Sequence, residues 1–269
     1  MSTTLTPDAV TETPLVPTAP RRWLGGFGNL LRKELGQWFG TRVWWVHTAV
    51  WLVVLNGIVA IASLDPELAA DELVSQSLQA FLTLATTAVA IGAVVTVQGA
   101  VVGEKDLGTA AWVISKPVAR ASFIVAKLVA HTTGFLVTAI LVPTAVFAVE
   151  AAVLLPQSLD YGPLLASLTL VVLSLVFYVA LTLALGTLFA GRGPVAGIGI
   201  GLILTGTFLD GILPEALVLA TPWRLGDVAG SLALDLPIGF DWYLPVVATA
   251  AFTVVFVAVA VWRFGREEF

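Results

Sequence analysis

The sequence contains no cysteine, and only 12% of its 269 residues are charged. The absence of cysteine excludes disulfide bonds, thiolate metal sites and a cysteine nucleophile. Soluble domains carry about 25% charged residues, so the chain has roughly half the usual charge. It also lacks G-x-x-x-x-G-K-[ST], H-E-x-x-H and G-x-S-x-G. These absences exclude ATP binding through a P-loop, a zincin site and a nucleophile elbow.

The chain instead contains several long apolar segments. Hydrophobic residues make up 58% of the chain, and its mean hydropathy is +0.96. Roughly 20 apolar residues are needed for a helix to cross a bilayer. The sequence therefore predicts an all-α polytopic membrane protein with six transmembrane helices, at residues 43–63, 77–102, 122–154, 163–190, 194–213 and 243–263. The third span is long enough to tilt, and Pro143 predicts a kink within it.

The N-terminal 40 residues divide into two parts. Residues 1–20 are polar and rich in Pro and Thr without a signal-like apolar region, which predicts a disordered cytoplasmic tail. In residues 21–40 apolar side chains recur every three or four positions, opposite a basic face. This pattern favours an amphipathic helix in the membrane interface over a packed surface helix of a soluble protein. Its glycines place the firm part of that helix from about Asn29 onward.

The distribution of basic residues predicts the orientation. With both termini cytoplasmic, twelve of the thirteen Lys and Arg residues lie inside and only Arg224 lies outside. The expected location is the plasma membrane, with residues 41–269 forming the six-span domain. The outer segment 214–242 is moderately polar and too small for an independent domain. We expect it to form short helices at, or dipping into, the outer leaflet.

Ionisable groups inside the predicted spans are the first candidates for chemistry. His47 and His131 are better explained as helix-packing residues than as metal ligands, since no carboxylate or further His lies at ligand spacing. No metal site and no catalytic residue are predicted. Glu150 and Asp210 lie near the outer ends of spans three and five, and both are candidates for contact with a transported substrate.

Two spans carry small and hydroxylated residues at helical spacing. Thr83 and Thr87 lie in span two, and Gly197 and Gly201 form a G-x-x-x-G pair in span five. Such glycines let another helix approach closely. Packing within one subunit and a shared pathway or subunit contact remain equal alternatives.

The most charged interval between two spans is residues 103–127, GEKDLGTAAWVISKPVARASFIVAK. Its charges must lie at a membrane face, because a charge at the bilayer centre costs about 2.5–3.5 kcal/mol. An apolar patch around Trp112 interrupts the charges, which predicts a short helix that lies against a protein or the headgroup region. Docking on a cytosolic partner is favoured over a position of Trp112 among the headgroups. Gly108 and Thr109 suit a helix start with a hydroxyl cap, and Pro117 suits its end.

These residues resemble the first cytoplasmic loop of ABC-2 type transporter permeases. The matching positions are Glu104, Gly108-Thr109, Pro117-Val118, Arg120 and Lys127. The N-terminal Lys33-Glu34-Leu35 with Arg42, and the C-terminal WRFGREEF, resemble that family's opening and ending. Within the family, the chain is most similar to permeases grouped with copper-enzyme maturation, which says little about substrate.

The resemblance implies a coupling helix at 109–115, seated in a cleft of an ATP-binding subunit with Trp112 as its anchor. It implies a second permease subunit, in a homodimer or a heterodimer, and favours export over import. ATP and magnesium would bind the partner, with no cofactor on this chain. Membrane lipid is an expected partner, and nucleic acid is not. The alternatives are an integral scaffold or channel without an ATPase, and an intramembrane enzyme using His47, His131 and Glu150.

One charge in the N-terminal helix needs a partner. Glu34 falls on the apolar face, where an unpaired carboxylate would be costly. The hypothesis from the sequence is that a basic residue such as Arg42 or Arg120 pairs with it. Arg120 and Lys127 can also snorkel to headgroups, or pair with Glu104 or Glu34.

Overall fold

A computed structural model describes residues 23–64, 69–155, 159–209 and 211–268. Within these ranges every regular element is helical. The predicted tail at residues 1–20 and the candidate substrate residue Asp210 lie outside the described residues.

The described residues contain six apolar helical segments at the predicted positions of the spans. Five are long and apolar enough to cross a membrane: Val43–Ala62, Glu72–Asp106, Arg120–Leu154, Tyr161–Leu188 and Tyr243–Gly265. The other predicted span corresponds to a shorter apolar helix, Arg192–Phe208. Six spans are therefore consistent with the fold, one of them short.

The described helices, in chain order, extend as follows. They are α1 (Phe27–Phe39), α2 (Val43–Ala62), α3 (Ala70–Val97), α4 (Gly99–Asp106), α5 (Thr109–Ile114), α6 (Arg120–Phe135), α7 (Val142–Leu154), α8 (Tyr161–Leu188), α9 (Arg192–Leu209), α10 (Glu215–Leu219), α11 (Leu225–Ala233) and α12 (Tyr243–Gly265). A π-helical segment, Leu136–Leu141, joins α6 to α7, and a 3₁₀ turn, Pro222–Arg224, precedes α11.

The predicted kink corresponds to this π-helical segment. Pro143 is at the start of α7, directly after Leu136–Leu141. A proline ring clashes with the carbonyl four residues before it and has no N–H to donate. Widening the preceding turn is one way to relieve that clash. The α-helical hydrogen-bond pattern of span three is therefore interrupted where the sequence indicated.

Helix α8 is at the centre of the bundle. Its residues from Phe177 to Thr187 are all buried, and it packs against α3, α11 and α12. Helix α12 instead leaves large apolar side chains exposed, including Val247, Val254 and Trp262. Such an outer face is stable in lipid, where apolar side chains are solvated by acyl chains.

Helix α1 packs on α6 through the face predicted to be apolar. Leu30, Glu34 and Trp38 are its buried residues. The helix begins two residues before Asn29, after Gly26 in a left-handed conformation (φ 82°). A side chain at Gly26 would also meet Val118, its Cβ lying 2.9 Å from the Val118 methyl. Glycine is required here for both reasons.

The outer segment 214–242 folds back into the bundle. The indole Nε1 of Trp223 donates to the Leu202 carbonyl (3.0 Å) on α9, about 15 Å along that helix from its start. The Ser167 hydroxyl on α8 donates to the Ala229 carbonyl on α11 (2.8 Å). The segment therefore packs into the helical bundle, and we call it the re-entrant segment; its position relative to the outer leaflet stays a prediction.

Candidate partner-docking site

The predicted docking helix is present as α5. Gly108 before it has φ 68°, a left-handed conformation that glycine adopts without penalty. Ala110 and Val113 are buried against the protein, whereas Trp112 is 65% exposed. Leu107, just before the helix, is 77% exposed. The short helix thus presents an apolar surface that the rest of the described chain leaves uncovered.

Two details of this loop differ from the prediction. The Thr109 hydroxyl does not cap α5: it donates to the Glu104 carbonyl (3.2 Å), closing the turn before it. The helix ends at Ile114, one residue before the predicted end. Pro117 follows in the exposed turn, consistent with a role in redirecting the chain toward α6.

Four charged residues from three helices contact one another next to the loop that contains α5. Lys127 Nζ on α6 lies 3.0 Å from Glu34 Oε1 on α1 and 2.7 Å from Glu104 Oε1 on α4. Lys33 Nζ lies 2.9 Å from Glu104 Oε1 and 3.4 Å from Glu34 Oε1. We call these four residues the inner charge cluster. Two cations and two carboxylates balance one another, so the cluster carries no net charge.

The predicted pairing of Glu34 with Arg42 or Arg120 is wrong. The partners of Glu34 are Lys33 and Lys127, because α1 lies along α6 with its Glu34 face opposite Lys127. The alternative that Lys127 pairs with Glu104 or Glu34 is correct, since it pairs with both.

The inner charge cluster is largely buried. Lys127 and Glu34 have 3% and 5% of their side-chain surface exposed, and Lys33 has 41%. Burial of Lys33 disfavours its charge, but its hydrogen bond to Glu104 and the attraction of both carboxylates outweigh that loss. The pKa of Lys33 therefore lies above its ordinary value of 10.5.

Arg120 has a different role from the one expected. Its Nη1 donates to the carbonyls of Gly265 (3.0 Å) and Glu267 (2.7 Å) at the end of α12. Lys105 Nζ lies 2.8 Å from Glu267 Oε1. These contacts hold the C-terminal residues against the loop.

The start of α1 is joined to the same loop by backbone contacts. The Gly25 carbonyl accepts from the Ala119 N–H (2.9 Å) and from the Ser122 hydroxyl (3.1 Å). Together with the inner charge cluster, these bonds connect both halves of α1 to residues 104–127. A force applied at α5 would therefore be transmitted to α1, α4 and α6.

The two histidines are joined by hydrogen bonds to aromatic and hydroxyl side chains. The Trp51 indole donates to His47 Nε2 (3.2 Å), and His47 Nδ1 lies 2.7 Å from the Thr138 hydroxyl. The Trp38 indole donates to His131 Nδ1 (3.2 Å). Accepting from an indole requires an unprotonated ring nitrogen, so both histidines can be neutral packing residues.

The residues of the enzyme alternative do not form one site. Glu150 accepts from the amide of buried Asn56 (3.1 Å), which also donates to the Pro143 carbonyl. Asn56 is nine residues beyond His47 on α2, about 13 Å along the helix. Among the described residues no group of three metal-ligating side chains occurs.

The remaining candidates divide between a cavity and an open surface. Thr83 and Thr87 line a cavity between α3, α8 and α9. Gly197 and Gly201 face open space: a side-chain carbon placed at either has no described atom within 4 Å. The described residues therefore show no close packing against this pair, and its role in a pathway or a subunit contact stays a prediction.

These helices and their charged loop define the membrane-spanning part of a transporter. The chain belongs to the ABC-2 family of transporter proteins, whose family model matches residues 28–222, more than half of the chain. It is also similar to the uncharacterized transmembrane protein YxlG of Bacillus subtilis (strain 168), with 28% identity over 265 residues. That alignment covers 89% of this chain and 97% of YxlG. The family resemblance read from residues 103–127 is therefore confirmed, and the chain is a multi-pass membrane permease subunit rather than an enzyme.

Proposed function

We propose that this permease subunit couples to a separate ATP-binding subunit through residues 103–121 and works in export. The observation that supports this most directly is the exposed apolar surface of α5, formed by Leu107 and Trp112 within a charged loop. Exposed apolar side chains outside the bilayer mark interaction sites. The partner would supply ATP, magnesium and the hydrolytic step.

The contacts around α5 support a role in transmitting movement. The loop continues directly into α4 and α6, and the inner charge cluster fixes it to α1. A displacement of α5 by closure of the ATP-binding subunits would therefore move spans two and three together with α1. In this proposal both termini are cytoplasmic, which places α5, α1 and the C-terminal residues on one side of the membrane.

We further propose that two permease subunits assemble through α9. The small residues Gly193, Gly197 and Gly201 lie on one exposed stripe of this helix, and each has open space in front of it. Close approach of helices through small residues is a common mode of association in membranes. Homodimers and heterodimers would use the same face.

Replacing Trp112 by Ala tests the docking role. The tagged chain is purified from native membranes, and the yield of the co-purifying ATP-binding subunit and the ATPase activity of the complex are measured. We expect both to fall at least about tenfold, as for a central aromatic residue of an interface. Trp45→Ala is the matched control, because Trp45 is similarly exposed (63%) but lies at the start of α2, outside the loop.

Retention of the partner and of ATPase activity by Trp112→Ala would contradict the docking proposal. Equal loss in Trp112→Ala and Trp45→Ala would contradict it as well, because the effect would then not be specific to the loop.

A further inference from the structure

A partly open cavity lies between helices of the bundle. It has a volume of about 220 Å³ and is enclosed by α3, α8, α9 and residues 222–227. Six of its lining residues carry hydroxyl groups: Thr83, Thr86, Thr87, Ser174, Tyr178 and Thr207. Hydroxyls in such numbers are unusual at a depth where the surrounding spans are apolar.

Two of these hydroxyl groups are on buried residues and have no hydrogen-bond partner among the described residues. Ser174 and Tyr178 are each 3% exposed and lie one helical turn apart on α8. No hydrogen bond joins either hydroxyl to another described residue, whereas Thr86 and Thr207 donate to carbonyls of their own helices. Buried polar groups are normally hydrogen-bonded, so these two hydroxyls are available to bind water or a ligand in the cavity.

The re-entrant segment contributes Pro222, Trp223, Gly226 and Asp227 to the cavity wall. Between α10 and the 3₁₀ turn, Ala220 and Thr221 are not helical, although Trp223 beside them reaches the Leu202 carbonyl within the bundle. Non-helical backbone at membrane depth is tolerated only where protein buries it or where it lines a water-filled cavity. Asp227 in the cavity wall has a half-exposed side chain, so the cavity is accessible to water.

The wall carries no unpaired charge among its described groups. Asp227 is its carboxylate, and Asp227 Oδ2 lies 2.8 Å from Arg224 Nη1. A charged ligand would lose its hydration on binding, and no unpaired opposite charge in the wall would compensate for that loss. An uncharged ligand with several hydroxyls can instead donate to and accept from Ser174 and Tyr178, and can rest on the ring of Trp223.

From these observations we propose that the cavity binds an uncharged, hydroxyl-rich ligand of about monosaccharide size, either free in solution or as a lipid headgroup. The volume corresponds to about seven waters at about 30 Å³ each and is below the range typical of drug-sized ligands. Binding is a property of this chain alone, so the proposal can be tested without the ATP-binding partner and does not depend on the coupling proposal.

The absence of native cysteine makes the site directly testable. Ser174→Cys is introduced into the full chain in lipid nanodiscs, and its rate of modification by a small water-soluble thiol reagent is measured. We expect it to be modified at least about tenfold faster than Leu175→Cys, because the side chain of Leu175 is buried in the hydrophobic core rather than lining the cavity. Equal rates would overturn the proposal of a hydrated cavity.

Protection from modification then identifies the ligand class. Methyl glucoside in solution and monoglucosyl diacylglycerol in the nanodisc represent the two sources of the ligand. We expect at least one of them to slow modification of Ser174→Cys, and the comparison shows whether free sugar or headgroup binds. Protection by choline or inorganic phosphate instead, or by none of the four probes, would overturn the proposed ligand class.

Tyr178→Phe provides the second variant. Combined with Ser174→Cys, it removes one hydroxyl while keeping the ring, so the bundle is preserved. We expect the concentration of the protecting sugar that gives half-maximal protection to rise about 3- to 10-fold. An unchanged concentration would show that Tyr178 does not contact the ligand and would contradict the assignment of this cavity.

Discussion

Removing the ammonium group of Lys127 is the most informative perturbation of the inner charge cluster. Lys127→Met keeps most of the aliphatic stem but leaves Glu34 and Glu104 facing each other. Only Lys33, which is partly exposed, would then remain to balance the two carboxylates. Loss of one member of a buried ion pair leaves an uncompensated buried charge.

The expected cost is about 3–5 kcal/mol of unfolding free energy. For a chain of this size each kcal/mol lowers the melting temperature by about 2–4 °C, so we expect a decrease of about 6–20 °C. The assay is thermal unfolding of the protein in lipid nanodiscs, followed by tryptophan fluorescence. Lys116→Met is the control: Lys116 is exposed and lies 5.0 Å from the Trp112 ring centroid, a contact worth about 0.5–1 kcal/mol.

A double variant separates the ion pair from other effects. Adding Glu34→Gln to Lys127→Met removes one of the two carboxylates left uncompensated, so part of the lost stability should return. We expect a coupling free energy of at least about 1 kcal/mol between the two positions. If Lys127→Met were no more destabilising than Lys116→Met, the cluster would not hold the three helices together as we describe.

Three further predictions use other contacts. Gly134→Ala should lower stability by about 1–3 kcal/mol in the same unfolding assay, because the new methyl group would overlap the Trp38 ring. The control Gly57→Ala, whose methyl group would enter open space, should not lower stability. Equal effects of the two variants would contradict the packing of Gly134 against Trp38. The stability difference between wild type and Lys33→Met should be fully present below pH 10.5 and should be lost as the pH rises through the higher folded-state pKa of Lys33. Loss of this stability difference at mildly alkaline pH would contradict the raised pKa. Gly201→Leu should reduce the dimer fraction in native mass spectrometry at least about fivefold, because a large side chain would block close approach of a second α9. The control Gly57→Leu should leave the dimer fraction unchanged. An unchanged dimer fraction in Gly201→Leu would contradict a dimer interface on α9.

The spans and the short docking helix could be predicted because their signals are local. Apolar runs of bilayer length, and a break at Gly108 followed by an apolar patch, depend only on neighbouring residues. Pro143 likewise indicates an interruption of its own helix. Most of these elements begin and end within a few residues of the predicted boundaries, although α3 begins at Ala70, seven residues before the predicted start of span two.

The partners of charged groups could not be predicted in the same way. Glu34 required a cation, but the choice of Lys127 over Arg42 depends on how α1 lies along α6, which no local pattern records. One signal was available: Lys127 lies inside an apolar stretch, and such a charge almost always has a partner nearby. The use of Arg120 to bind backbone carbonyls had no comparable signal.

The cavity was predictable only in part. Thr83 and Thr87 were recognised as a polar stripe, but its opposite wall comes from Ser174, Tyr178 and the re-entrant segment, which lie about 90 residues or more along the chain. Enclosure by segments so distant in sequence is a property of the tertiary fold.

The contacts of Arg120 and Lys105 with the C-terminal residues have a practical consequence. A fluorophore placed after Gly265 would travel with the loop that these side chains hold, and so would act as a reporter of loop displacement. A bulky fusion at the same end would instead crowd the surface of α5. The length of the spacer between Gly265 and the fused group would then determine whether the group reports loop displacement or blocks partner binding at α5.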